Sequence, residues 1–506
     1  MRWSQSRAST AISSIVLSAL AACGNDAATK PSLVPDAGAA DAALSDAAWP
    51  DADAGHPLAA RLSLAELQDP AVCGGCHTRQ YAEWKSSMHA YASIDPVFLA
   101  MNQRGQRETD GTLGKFCVQC HAPMAVHNGL TTDGLNLATL PAKMQGVTCY
   151  YCHNVSDVGP THANADLTLA DDDIMRGSIK NAVDPGVHGV AYTEQHDSRQ
   201  MKASFLCGNC HDVVNQKGFH LERTLSEYRS SVNSLESANA GADSCQGCHM
   251  NFVDHDYVAD LPASSGLTLK KRDLHNHRWP AVDVALSDFP DREKQRLATQ
   301  CALDRGAFVF ELLNNGQGDF SISLETVAGH QMPSGTAQDR RLWLEVIAYD
   351  AQDKVLFQSG VIGDREVEEH DLTDPKHDPQ LCMFRDHVEN DAGVEVHMFW
   401  EASARREDTS RPLPIQTEPN ANHVATCSYK TPGRVQPARL TARLLMRPVG
   451  MDVLQSLVAS GDLDAGVMAE MPTFELHNTN VEWKSGNGGS LSPITPKPSP
   501  IDCTGF

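Results

Sequence analysis

Ten of the fifteen cysteines fall into five copies of one pattern, each closed by a histidine: CGGCH (Cys73, Cys76, His77), CVQCH (Cys117, Cys120, His121), CYYCH (Cys149, Cys152, His153), CGNCH (Cys207, Cys210, His211) and CQGCH (Cys245, Cys248, His249). C-x-x-C-H is the attachment signature of c-type haem. Two thiols add across the two vinyl groups of one porphyrin edge. The next residue then brings an imidazole nitrogen under the iron. A zinc site needs four ligands, so C-x-x-C pairs would come in twos; five pairs, each followed by His, do not divide that way. A thioredoxin-like centre uses one C-x-x-C beside a βαβ pattern, and none is visible. Structural disulfides leave the histidines unexplained. Five covalent haems are therefore expected, held by these ten cysteines, with His77, His121, His153, His211 and His249 as proximal iron ligands.

The second axial ligand decides what each iron can do. Two imidazoles saturate it for electron transfer, whereas an open face can bind and reduce a small molecule. Between residues 56 and 277 ten further histidines are available, namely His56, His89, His127, His162, His188, His196, His220, His255, His275 and His277. That is twice what five bis-imidazole irons require.

The elements that must position these groups are sparse. Helical pieces are expected around LSLAELQ, RQYAEWKSSMHAYAS and LERTLSEYRSSVNSLESA, with Gly- and Asp-rich loops between them. So much irregular chain needs something other than a hydrophobic core, and the porphyrins supply it. From about Asp288 the texture changes. DREKQRLATQCALD reads as a linking helix. Then FVFELL, FSISLETV, RLWLEVIAYD, KVLFQSGVI, EVHMFWEA and RLTARLLMRPV read as strands of a β-sandwich, and MDVLQSLVASG as an inserted helix. The fold class expected is α+β and multidomain: a loop-rich, mainly helical multihaem domain, then a β-sandwich.

The N-terminus carries Arg2, Arg7 and a short apolar run ending in LAAC, so residues 1–23 read as a signal peptide. The ending resembles the bacterial lipoprotein processing box, which implies lipidation of Cys23; Gly24 after it favours the outer membrane. Residues 24–58, rich in Ala, Asp and Pro, read as a flexible tether. The haem domain spans 59–287, the β domain 288–484 and an extended Gly/Ser/Pro-rich tail 485–506. The expected location is the periplasm or cell surface. A net charge of −23 argues against nucleic acid and favours redox protein partners with basic docking surfaces. Cys301, Cys382, Cys427 and Cys503 remain. Three pairings are open, of which Cys382–Cys427 with Cys301–Cys503 is favoured because the second would pin the tail to the first helix of the β domain.

The stretch CGGCHTRQYAEWKSSMHAYAS resembles the opening of multihaem cytochromes of the cytochrome c-554/c-prime family. The resemblance covers roughly residues 71–280. It implies that His89 is a distal ligand, often to the iron of another haem in the array, and that Trp84 packs on porphyrin. EQHDSRQMKASFLCGNCHDV similarly nominates His196. LHNHRWPAVDVAL nominates His277, with His275 as rival. His127 and His162, each close behind a haem motif, are further candidates. The segment AGHQMPSGTAQDRRLWLEVIAYDAQDKVLFQSG resembles a β domain appended to some multihaem cytochromes, with Ser334 where Thr is usual. His330 in it could reach a haem, but Pro333 and Gly335 mark a turn, and a histidine held by its own loop is the favoured reading. Pentahaem nitrite reductases carry C-x-x-C-K at the catalytic iron, and no such motif occurs here.

The expected function is electron transfer between redox partners at the cell envelope. The alternative is an oxidoreductase acting on a small nitrogen or sulfur compound at one open iron, with Tyr150, Tyr151, Arg176 and His188 as candidate distal groups.

Overall fold

The computed structural model describes residues 61–237, 242–250, 252–261, 265–362, 378–406, 411–419, 423–485, 495–496 and 501–503. The signal peptide, Cys23 and the tether lie outside the described residues. Gly55–Phe506 form one compact unit, and the stretches on either side of residue 288 belong to it together. Among the described residues no helix is long and apolar enough to cross a membrane.

Short helices carry the haem motifs. Cys149–His153 and Cys245–His249 are each a single helical turn, and Met201–His211 ends on its motif. The aromatic stretch expected as one helix breaks into Thr78–Lys85 and Met88–Tyr91, because Ser87 caps the second by accepting from the Ala90 amide. In LERTLSEYRSSVNSLESA only Thr224–Ser230 is α-helical.

Strands intrude where few were expected. Val155–Val158 pairs Leu167–Leu169, Asp212–Val214 pairs His220–Arg223, and Phe252–Asp256 pairs Arg272–His275. Each ladder starts within three residues of a motif histidine. Such ladders satisfy backbone groups where the chain leaves a haem motif. They are too short to leave a period-2 signature.

One long helix has no counterpart in the sequence reading. Pro96–Glu108 is capped by Asp95, whose carboxylate accepts from the Val97 amide, and has Pro at its first position. Its Ala100 packs with Met398, Leu454 and Leu457, the last two from the helix Met451–Ala459. Gly105 permits the approach: a Cβ there would sit 2.8 Å from the Trp400 ring. This contact explains why EVHMFWEA is not a strand. Met398 is buried against the helix and Trp400 Nε1 donates to Glu108 at 3.2 Å, so the segment packs as a loop.

After the helix Arg292–Asp304 come two antiparallel sheets. The smaller orders Ala425–Lys430, Asp319–Thr326 and Ala307–Gly316. The larger runs Val355–Ser359, Arg341–Tyr349, Arg439–Arg447, Phe474–Lys484 and Thr495–Pro496, with Cys382–Phe384 also on the Arg341–Tyr349 strand. Phe320, Ile322 and Leu324 of one sheet and Leu342, Leu344, Val346, Leu440 and Leu444 of the other share one hydrophobic cluster.

Disulfides join Cys301 to Cys503 and Cys382 to Cys427. The first spans a sequence separation of 202 and ties the tail to the helix Arg292–Asp304. Cross-links over long loops restrict the unfolded chain most, so Cys503→Ser is expected to lower stability by about 2–5 kcal/mol. A fall in the urea midpoint with a steeper slope, from the more expanded unfolded chain, checks this.

Candidate haem sites

The ten motif cysteines are all free thiols. Burial pushes Cys117 and Cys152 up to about 12, so in the bare chain they stay protonated. Among the described residues no group of three or more His, Cys, Asp or Glu gathers to hold a metal ion.

Thiols of different motifs touch: Cys73 with Cys149, Cys120 with Cys210, and Cys207 with Cys245. Motif four thus abuts motifs two and five, and motif one abuts motif three. Cys152 of the third motif lies close to Cys210 of the fourth, which joins the two groups into one cluster with the fourth motif near its centre.

Four of the five motif histidines are held alike. Nδ1 donates to a backbone carbonyl: His77 to Val258 at 2.8 Å, His121 to Ala92 at 2.9 Å, His153 to Arg176 at 2.6 Å and His249 to Pro280 at 3.1 Å. This fixes the tautomer and leaves Nε2 with its lone pair for a metal. Burial lowers the pKa of all five, to about 4 for His211. They are neutral, as ligation requires.

The facing residues supply the sharpest test of fit. Two imidazoles on one iron have ring centres about 6 Å apart, from two metal–nitrogen bonds of about 2 Å and a ring radius of about 1 Å each. His77 and His188 are 6.4 Å apart, His89 and His211 6.3 Å, His153 and His277 6.3 Å, and His249 and His330 6.1 Å. Direct stacking would bring such rings closer. The motifs, the carbonyl-held Nδ1 atoms and these spans fit c-type haem.

The sequence nominees are distributed as follows. His89, just behind the first motif, faces His211 of the fourth and packs edge-on to Trp279 at 4.5 Å. Burial, first, and then His211 lower its pKa to about 3. His277 faces His153, and its backbone amide donates to the buried Glu83 at 2.9 Å. His196 lies only 5.0 Å from His153 and spends Nε2 on the Cys152 carbonyl at 3.1 Å. The spacing therefore favours His277 over His196 across from His153. The Nδ1 of His196 is buried without a partner among the described residues. His275 gives Nδ1 to the Met250 carbonyl. His127 sits at the rim, its Nε2 2.7 Å from Asp171. His162 stacks on Phe205 at 4.0 Å. Neither is in ring contact with a motif histidine among the described residues. Trp84 donates to the Val147 carbonyl and stacks on Tyr81.

His188 sits across from His77, its Nδ1 held by the Gly189 carbonyl at 3.0 Å. Of the other proposed distal groups, Tyr150 donates to the Asp172 carbonyl and Arg176 is paired with Asp172 at 2.8 Å, whereas Tyr151 is buried beside the Cys210, Cys120 and Cys152 thiols. Trp279, wedged between His89 and His277, was not singled out from the sequence. Its HNHRWP context was the available signal.

His121 differs from the rest. Phe98 stacks on its ring at 4.0 Å, and no second imidazole is in ring contact with it among the described residues. Asp283 is its charged neighbour and is held by Arg340 through two bonds of 2.9 Å.

Residues 72–154 match the family described as cytochrome c554 and c-prime. No curated protein matches the chain. Among solved structures, a penta-heme cytochrome c552 from Thermochromatium tepidum superposes with a TM-score of 0.54 at 20% identity, over 85% of this chain and 100% of that one. At that identity the likeness is one of fold. With the motifs and their geometry, these findings support a multihaem c-type cytochrome.

Proposed function

We propose that this protein is an exported electron carrier in which five covalently bound haems form a relay. The observation that supports it most is the set of imidazole pairs His77/His188, His89/His211 and His153/His277, each spanning 6.3–6.4 Å. Two imidazoles per iron leave no coordination site for substrate and favour fast electron exchange with little rearrangement. The touching thiols of neighbouring motifs support close packing of the cofactors. Export is supported by the two disulfides and by the signal-like N-terminus. Lipidation at Cys23, an outer-membrane location and a sandwich arrangement of the two sheets belong to the same reading.

Alkaline pyridine haemochrome analysis should give five haems per chain, and magnetic circular dichroism should be dominated by low-spin bis-imidazole iron. Fewer than five haems, or mostly high-spin iron, rejects the relay. The charge of −23 implies basic redox partners, so electron exchange with a cationic redox protein should slow steeply as salt rises. A rate indifferent to ionic strength removes that part.

A second reading has one observation in its favour, the absence of a ring-contacting imidazole opposite His121 among the described residues. An open iron there would suit a small nitrogen or sulfur species, with Asp283 and Arg340 as its polar neighbours. It requires one high-spin iron in five and turnover of nitrite, hydroxylamine or tetrathionate above the rate of free haem peptides.

A further inference from the structure

We propose that His330, from the C-terminal β-rich part of the chain, is the axial ligand opposite His249, so that the fifth centre is completed only by that part of the protein. The inference rests on the reading of the C-x-x-C-H motifs as haem sites and adds a residue from beyond the haem segment.

Three observations carry it. The two rings lie 6.1 Å apart and within 10° of parallel, the span of the other facing pairs. Both commit Nδ1 to carbonyls, His249 to Pro280 at 3.1 Å and His330 to Gln331 at 2.8 Å, so each keeps Nε2 for a metal. The turn carrying His330 is anchored to the haem segment. Glu227, on the helix Thr224–Ser230, accepts from the Gln331 amide at 3.2 Å and the Ser334 hydroxyl at 2.7 Å. Thr224 and Ser334 hydroxyls meet at 2.9 Å, and Met332 exchanges backbone hydrogen bonds with Leu413.

The turn reading favoured from sequence accounts for one ring nitrogen only. A histidine serving its own loop needs Nδ1 on Gln331 and nothing more. It gives no reason for the ring to face His249 at the separation that an iron between them would set. The Glu227 clamp holds the turn against the haem segment, as positioning of a ligand from another part of the chain demands.

The test uses the full-length holoprotein, with His330→Ala and His330→Met. Wild type and variants are first assayed by pyridine haemochrome; a wild type without covalent haem would fail the underlying reading rather than this one. With haem content unchanged, H330A should convert one iron of five from low to high spin, and added imidazole should reverse it. H330M should instead give the near-infrared charge-transfer band of a sulfur-bound iron. Unchanged spin populations in H330A overturn the proposal. If the variants do not accumulate, the wild type decides: at most one high-spin iron in five is expected, and two or more overturn it.

Discussion

Replacing Cys207 and Cys210 by Ser is expected to cost the protein its fold as well as one haem. These two thiols contact Cys245 and Cys120, which belong to two other motifs, and Cys152 of a third motif lies close enough to feel Cys210. Without its thioether bonds the fourth cofactor is held by axial ligation alone and is lost on dilution. An unfilled cavity of about 300 Å³, the low end for a ligand pocket, costs about 7 kcal/mol at about 24 cal/mol per Å³. That is comparable to the whole stability of a folded domain, about 5–15 kcal/mol. Haem content should fall from five to four or below, and resistance to limited proteolysis should collapse. Cys73→Ser with Cys76→Ser is the comparison. Among the described residues, this pair touches a thiol of one other motif, Cys149, so one haem should be lost with much of the protease resistance kept. Equal behaviour of the two double variants would remove the central role of the fourth motif.

The contrast between these motifs and their partners also explains what could be read in advance. A thioether anchor and its proximal ligand are adjacent in sequence because one porphyrin edge and one iron must be reached by one turn of chain. The spacing is thus set by the cofactor, and His77, His121, His153, His211 and His249 stand out. A distal ligand approaches from the opposite face and can come from anywhere the fold brings a histidine. His89 belongs with His211 rather than with the nearby His77. His188 follows no haem motif closely, so its spacing sets it apart from none of the other histidines available as second ligands. Its position across from His77 depends on the parallel pairing of Ile174–Gly177 with Gly189–Tyr192, a long-range contact. His330 looked like a turn residue because its neighbours do mark a turn; both descriptions hold, since the turn is what presents the ring. The two sheets were readable through alternating apolar residues such as Leu342, Leu344 and Val346. EVHMFWEA misled because Met398 and Trp400 are apolar for the sake of the helix Pro96–Glu108, whose Asp-Pro start was itself a readable cap.

Glu222 should make the reduction potential of the cluster depend on pH near neutrality. It lies on the strand His220–Arg223, beside the Cys210 thiol and near Arg340 and Asp283. Burial pushes its carboxyl up to about 7; Arg340 works against the shift and Asp283 with it. The sign follows directly. Below about pH 7 the group is neutral, and above it is an anion close to the fourth site. A nearby negative charge favours the oxidised, more positive centre, so the potential falls as pH rises through about 7. For a one-electron couple fully linked to one proton the slope is about 59 mV per pH unit, and partial linkage gives a fraction of that. Spectroelectrochemical titration from about pH 5.5 to 8.5 should therefore show one component with a distinct slope, and Glu222→Gln should flatten it and raise the potential at the alkaline end. Asp95, also buried, is pushed up to about 6, with Asp283 again contributing. Its titration would leave a residual slope at the acid end in E222Q. The two carboxyls are thereby separable by where on the pH axis the slope survives. An E222Q profile superimposable on that of the wild type would show that the proton taken up on reduction sits elsewhere.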